Sequence, residues 1–408
     1  MRKVAVVFPG QGSQLIGMGR EFYEKYSYVQ ELYKEAEDVL GKDVTEMIFN
    51  GSEEELKKTS NAQIAVYLTS MAAYKVFLKE TGIKPYIAAG HSLGEISAMT
   101  AAGMISFKDG IDLIKERAAY MEEAFSSETA MYAIRNIHYK TVEKLIKDFD
   151  KKGKIAVISN YNAIDQLVIS GEREIVNELA EYLNEKGANI TELKVSGAFH
   201  SPLMSSAAEK FKARLMKENF NAPEFPVLAN IDAKLYDKDR VVETLSEQIQ
   251  SPVRWLDIIR KMESLGVDST VELGTGRVLS RLIESTSDIK TYKFGMMKDI
   301  EVFCADAEWL IQQNKRGVVE ACIAAAVTTP NLCQNENEYE KGVLEPVKKL
   351  KAIKNELEKE QKKADESQIR ESEKLLDLIL KTKNISDYEK SYIMQEIKNL
   401  DEYRSLCC

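Results

Sequence analysis

Over the first 125 residues, short uninterrupted apolar runs alternate with stretches whose apolar positions recur every three or four residues. "KVAVVF" (3–8) and "YIAAG" (86–90) read as strands buried on both faces. "NAQIAVYLTSMAAYKVFLKETG" (61–82) reads as a long apolar helix closed by Gly82, and "LGEISAMTAAG" (93–103) as the helix leaving the second strand. Strands that alternate with helices predict a parallel sheet covered on both faces.

The pattern changes near residue 126. "AMYAIRNI", "YKTVEKLIKDFDKKG", "KIAVIS", "QLVISG", "REIVNELAEYLNEKG" and "NITELKV" predict strand, helix, strand, strand, helix and strand. That βαββαβ order is ferredoxin-like and fits a small unit inserted into a larger one. α/β character returns through "FPVLANID" and "DSTVELG". Beyond that, "CADAEWLIQQNKRGVVEACIAAAV" (304–327) and the charged stretch 342–380 have helical period, the latter with a stripe of Leu350, Ile353 and Leu357. The expected organisation is a large α/β-hydrolase-like parallel-sheet domain over 1–125 and 197–298, a ferredoxin-like subdomain over 126–196, and a C-terminal helical extension over 299–408. No internal repeat is evident.

Composition narrows the class of function. An apolar fraction of 44% and a charged fraction of 30% in 408 residues are those of a globular protein with a large core. No apolar run approaches the ~18 residues that span a bilayer. The run after Arg2 and Lys3 is too short for the apolar region of a signal peptide, so a cytoplasmic protein is expected. The net charge of −9 argues against nucleic acid or a membrane surface as partner. The cysteines, Cys304, Cys322, Cys333, Cys407 and Cys408, have no zinc-ligand spacing. A lipidated terminal Cys-Cys pair is the less plausible reading of that end. Neither a metal nor a cofactor is expected.

The chemistry concentrates in "GHSLG" (90–94), a G-x-S-x-G pattern between a strand and a helix. Such an elbow lifts a serine hydroxyl off the sheet edge. Ser92 needs a base, and the chain has three histidines. His91 adjoins the serine and points elsewhere on a tight elbow, and His138 falls in the inserted unit. His200, in "VSGAFHSPLM" where a strand ends and the chain turns at Pro202, is the best candidate. The glycine-rich loop "FPGQGSQLIGMG" (8–19) matches neither a phosphate loop nor a dinucleotide fingerprint. Its glycines let backbone approach a reacting group, Gln11 could donate to an oxyanion, and so could the amide of Leu93. Arg117 lies on the apolar stripe Ile114, Ala118, Met121, Phe125, where a buried guanidinium needs a partner. A structural ion pair and a clamp for a substrate carboxylate both satisfy that need.

Taken in order, "FPGQGSQLIGMG", "GHSLGE", "ERAAYM", "NYNAIDQLVISG", "GAFHSPLM", "SPVRW" and "ELGTGRVL" resemble the malonyl-CoA:acyl carrier protein transacylases of fatty acid and polyketide synthesis, over roughly residues 1–295. The resemblance implies Ser92 as nucleophile, His200 as base, the backbone amides of Gln11 and Leu93 as oxyanion hole, and Arg117 on the malonyl carboxylate. It also implies that the main-chain carbonyl of Gln248 orients the histidine in place of a triad acid, and that Gln63 and Asn162 line the site. Phe199 before the histidine, with Leu93, implies selection of malonyl over methylmalonyl by volume, a discrimination worth only ~1–3 kcal/mol. The implied partners are malonyl-CoA and a phosphopantetheinylated acyl carrier protein.

Departures from the family are Ser126-Ser127-Glu128-Thr129, where glycines are usual, and Gly274-Thr275-Gly276 in place of Gly-Pro-Gly. The extension is the largest, and resembles those of discrete acyltransferases that serve polyketide synthases in trans. Its basic run Lys348, Lys349, Lys351, Lys354 could meet an acidic carrier, although a solvated helix face is the plainer account. An acyl-carrier hydrolase of the same fold is the alternative function. An ordinary esterase lacks a recognisable acid here, and a non-catalytic scaffold would not need this residue set.

Overall fold

Five strands pair in parallel, each bringing a loop to one edge of the sheet. They are β1 (Val4–Phe8), β2 (Ile87–Gly90), β7 (Val227–Leu228), β8 (Ser269–Leu273) and β9 (Lys290–Phe294), in the order β7-β2-β1-β8-β9. The computed structural model describes residues 3–400 apart from 125, 127, 150–152, 194, 196, 315–316, 361 and 399. Phe125, Ser127 and the Cys407-Cys408 pair, noted in the sequence, lie outside the described residues. Every residue of β1, β2 and β8 is buried, β1 and β2 as continuous apolar strands covered on both faces, and β8 with its Glu272 carboxylate accepting from the Leu279 and Ser280 amides. The helix Thr59–Thr81 is buried along most of its length and packs on the helix Phe107–Glu123. It ends at Gly82, whose left-handed φ of 64° stops the helix where the sequence predicts. Near its end Phe77 packs edge-on against Phe294, with ring centroids 5.4 Å apart.

Four further strands form an antiparallel sheet. β3 (Thr129–Arg135), β4 (Ala156–Ala163), β5 (Gln166–Glu172) and β6 (Asn189–Glu192) take the order β4-β5-β3-β6. The helices Tyr139–Phe149 and Arg173–Glu185 complete the expected βαββαβ sequence. A separate core of Ile134, Val142, Leu167, Ile169, Leu179 and Leu183 holds this sheet to its helices. β4 runs four residues beyond the predicted end at Ser159, through register irregularities at Ile158/Asn160 and Tyr161/Ala163. The added length reaches the main body, where Val253 donates to Ser159 O and Tyr161 donates to Val253 O, both at 2.9 Å. Strand character in "FPVLANID", by contrast, is confined to Val227–Leu228. The chain then turns, the Ala233 amide donating to Ala229 O at 3.0 Å with Ala233 at a φ of 54°.

Residues 3–303 form one compact unit and residues from 304 onward another, the division falling within the helix Met297–Asn314. The second unit has its own core, with Val318, Cys322, Leu350, Ile369, Leu376 and Ile397 buried together. The stretch 342–380 is two helices rather than one, Glu345–Glu360 and Glu366–Thr382. A capping box starts the second, Asp365 accepting from the Gln368 amide while the Gln368 side chain accepts from that of Asp365. The helix expected over 304–327 is likewise split, restarting at Val318 after Gly317. Among the described residues no helix is long and apolar enough to cross a membrane.

The first turn after β2 packs directly on the end of β1. A Cβ on Gly94 would stand 2.1 Å from the Phe8 carbonyl oxygen, a backbone atom that cannot move without distorting the sheet. Gly94→Ala is therefore expected to cost about 3 kcal/mol or to prevent folding. Urea denaturation followed by circular dichroism measures this, and a wild-type midpoint would contradict the packing.

Candidate active site

The elbow follows from close approach within "GHSLG". A Cβ on Gly90 would lie 1.8 Å from the Gly94 carbonyl oxygen, so the turn closes only with glycine there. Ser92 sits between them with φ of 52°, a conformation that non-glycine residues rarely adopt. Asn230 pins it from both sides, its Oδ1 accepting from the Ser92 amide at 2.7 Å and its Nδ2 donating to Gly90 O at 2.6 Å. His91 turns away from the serine, its Nε2 lying 2.8 Å from Asn162 Oδ1.

His200 reaches Ser92 from the loop that leaves the small sheet. Its Nε2 lies 2.7 Å from Ser92 Oγ and its Nδ1 lies 2.8 Å from the Gln248 carbonyl oxygen. A carbonyl can only accept, so Nδ1 carries the proton and Nε2 faces Ser92 as an acceptor. The ring is 4% exposed. Burial lowers its pKa to about 3, helped by the positive charge of Arg117 and opposed by the Gln248 carbonyl. The imidazole is consequently neutral near pH 7.

Arg117, 1% exposed, is buried on the face of its helix that carries Ile114, Ala118 and Met121. Its Nη2 donates to Ser92 Oγ at 3.1 Å and to Gln248 Oε1 at 3.0 Å, and its Nη1 donates to Gln63 Oε1 at 2.9 Å. Among the described residues no carboxylate comes within ion-pair distance, and the buried Nε has no acceptor. Burial lowers the guanidinium pKa to about 10, the charge of Glu95 opposing. It remains a cation near pH 7, hydrogen-bonded but without an anion in contact.

Of the sequence-predicted residues, Ser92, His200, Arg117, Gln248 and Gln63 therefore form one connected set. Gln11 joins it at the edge, its Oε1 accepting from Gln63 Nε2 at 3.4 Å and its Nε2 donating to Thr59 Oγ1 at 3.3 Å. The main-chain amides of Gln11 and Leu93 have no acceptor among the described residues. Asn162 bonds to His91 rather than to the serine, and buried Phe199 lies against Gly197. His138 is outside the set and stacks on Tyr139.

Three members were not foreseen. Glu95 is fully buried, taking hydrogen bonds from the Asn230 amide and Tyr236 OH on Oε1, at 3.0 and 2.6 Å, and from Gln248 Nε2 on Oε2 at 2.5 Å. Burial pushes its pKa up to about 7 against the pull of those donors and of Arg117. The signal for Glu95 was present, a carboxylate in the first helical turn after the nucleophile. Asn230 and Tyr236 carried none, because their segment reads as strand and loop.

These features bear comparison with known proteins. The acyl transferase domain family matches residues 5–319. A malonyl CoA-acyl carrier protein transacylase of Bacillus subtilis is 31% identical over 401 residues, 97% of this chain and 100% of the relative. A second transacylase, from Bacillus subtilis strain 168, is 41% identical over 290 residues, 70% of this chain and 91% of the relative. A malonyl-transacylase solved in complex with a type II polyketide synthase acyl-carrier protein superposes with a TM-score of 0.72 at 34% identity, covering 74% of this chain and 99% of that one. The chain thus belongs to the acyltransferase family of the malonyl-CoA:acyl carrier protein transacylases.

Proposed function

We propose that this protein moves a malonyl group from malonyl-CoA to the phosphopantetheine thiol of an acyl carrier protein through a malonyl-Ser92 ester. One observation carries the reading: a histidine nitrogen at 2.7 Å and a buried guanidinium nitrogen at 3.1 Å converge on the same serine oxygen. A nucleophile, its base and a cation suited to a substrate carboxylate thereby share one point.

In the first half-reaction His200 Nε2 takes the Ser92 hydroxyl proton as Oγ attacks the thioester carbonyl. The Gln11 and Leu93 amides stabilise the oxyanion. Collapse breaks the carbon–sulfur bond, and His200 returns its proton to the departing CoA sulfur. In the second half-reaction His200 takes the proton of the carrier thiol, the sulfur attacks the ester, and the proton returns to Ser92 Oγ. Arg117 holds the free carboxylate throughout. That carboxylate also offsets the guanidinium charge that depresses His200, so the correct substrate makes the base stronger. Acetyl-CoA, lacking the anion, does neither. Phe199, with Leu93, limits the room for a branched acyl group.

The carrier is proposed to belong to a polyketide synthase that receives its extender unit in trans. This rests on the separate helical unit from residue 304, and a transacylase aligned over 97% of this chain supports a counterpart of that unit among transacylases. With equal concentrations of an excised synthase carrier domain and a discrete fatty acid carrier, the synthase domain is expected to be loaded about tenfold faster, a difference read in the second half-reaction. Equal loading, or preference for the discrete carrier, assigns the protein to fatty acid synthesis.

Intact-protein mass spectrometry after mixing with malonyl-CoA tests the chemistry. Wild type is expected to carry one malonyl group, passed on when holo carrier is added, and Ser92→Ala to carry none. An adduct lost to free malonate before carrier arrives would mark a hydrolase. Arg117→Ala is expected to slow malonyl adduct formation by about 100-fold, the loss of a charged hydrogen-bonding partner, while acetyl adduct formation does not fall.

A further inference from the structure

Gln248 is the most heavily used residue of the site. Its main-chain carbonyl holds His200 Nδ1, its Oε1 receives Arg117 Nη2, and its Nε2 donates to Ser92 O at 2.8 Å. The same Nε2 makes its shortest bond, 2.5 Å, to Glu95 Oε2. The sense of the amide is fixed by these partners, since Arg117 can only donate while Ser92 O and the carboxylate accept. Glu95 also accepts from the Asn230 amide, and the Asn230 side chain closes the elbow around Ser92. One buried carboxylate thus anchors both the residue that orients base and guanidinium and the residue that holds the nucleophile.

We propose that Glu95 is a positioning residue for the acyl transfer proposed above, anchoring Gln248 and Asn230 so that His200, Arg117 and Ser92 keep their mutual geometry. In a serine–histidine site an acid ordinarily holds the histidine directly. Here a neutral carbonyl does so, and the anion stands one residue back, behind Gln248. From there it balances the charge of Arg117 without ion-pairing with it, which leaves the guanidinium to a substrate carboxylate. A protonated Glu95 would present a weaker acceptor, or a donor, toward Gln248 Nε2 or the Asn230 amide, neither of which can accept, loosening contacts the network depends on. The charged and titratable groups facing it are Arg117, from the helix Phe107–Glu123, and Tyr236, from the loop after β7. Its elevated ionisation, near 7, and the depressed ionisation of His200 predict that an acidic limb close to neutrality reports Glu95 rather than the histidine.

The test is the pH profile of kcat/KM for malonyl adduct formation, in wild type, Glu95→Gln and Tyr236→Phe. Glu95→Gln puts an amide donor where Gln248 Nε2 or the Asn230 amide requires an acceptor. It is expected to lose about 10- to 100-fold at pH 8, from the charged hydrogen bonds removed, and to lose the acidic limb. Tyr236→Phe removes one donor that keeps Glu95 ionised, so its acidic limb is expected to move to higher pH. Should Glu95→Gln fail to fold, the Tyr236→Phe shift decides alone. An unchanged profile in Tyr236→Phe, or wild-type kcat/KM and limb in Glu95→Gln, would overturn the inference. Absence of any malonyl adduct on the wild type would instead remove the reaction itself.

Discussion

A guanidinium taken out of water beside a serine hydroxyl is the constraint that organises this site. Removing such an ion from water costs several kcal/mol even after relaxation. Direct pairing with a carboxylate is the common remedy, yet it would occupy the group that a substrate anion needs. Arg117 instead has two glutamine oxygens and the Ser92 hydroxyl as hydrogen-bond acceptors, and Glu95 as a charge held behind Gln248. The cation is tolerated and still free to gain an anion. The same charge depresses His200, which couples the base to whatever anion Arg117 receives.

The geometry is held under backbone strain. Five non-glycine residues among those described have positive φ, and two of them are asparagines, which tolerate it. The other three are Ser92, His200 and Ala233. Ser92 is the nucleophile, His200 its base, and Ala233 shapes the loop carrying Asn230 and Tyr236. Each such residue costs on the order of 1–3 kcal/mol and persists only where its surroundings over-determine it. Asn230 supplies that for Ser92 through two side-chain bonds, and His200 is fixed through its own amide to Ile249 O, 3.1 Å, and through Nδ1 to Gln248.

What the sequence disclosed follows from which interactions are local. Continuous apolar runs located the strands at 3–8 and 86–90, as burial on both faces produces, whereas the strand Ser269–Leu273 buries Ser269, Thr270 and Glu272 among its apolar residues. The elbow was legible because two close backbone approaches demand glycine at fixed spacing. Arg117 stood out as a charge on an apolar face. Glu95, Asn230 and Tyr236 were missed because their partners lie 135 to 153 residues away and no periodicity encodes such a contact. The same limit extended a helix across 361–365, where the charged surface keeps its period but Asp365 and Gln368 close a cap.

Every hydrogen bond described for the site runs between residues 11 and 249, within the unit 3–303. The unit from residue 304 has its own apolar core and its own internal fastenings. Among these is Lys383, whose buried ammonium donates to the carbonyls of Ala326 and Thr329 at the end of the helix Val318–Thr328. A cation at that end complements the helix dipole and satisfies carbonyls that the helix leaves open. A segment that merely trailed from an enzyme would have no reason to bury a lysine so. The extension's sequence is therefore constrained by its own fold, separately from the chemistry at Ser92. Of its basic run, Lys354 is already engaged with Glu320 and Glu358, which leaves Lys348, Lys349 and Lys351 as the residues of that stretch whose charge faces solvent.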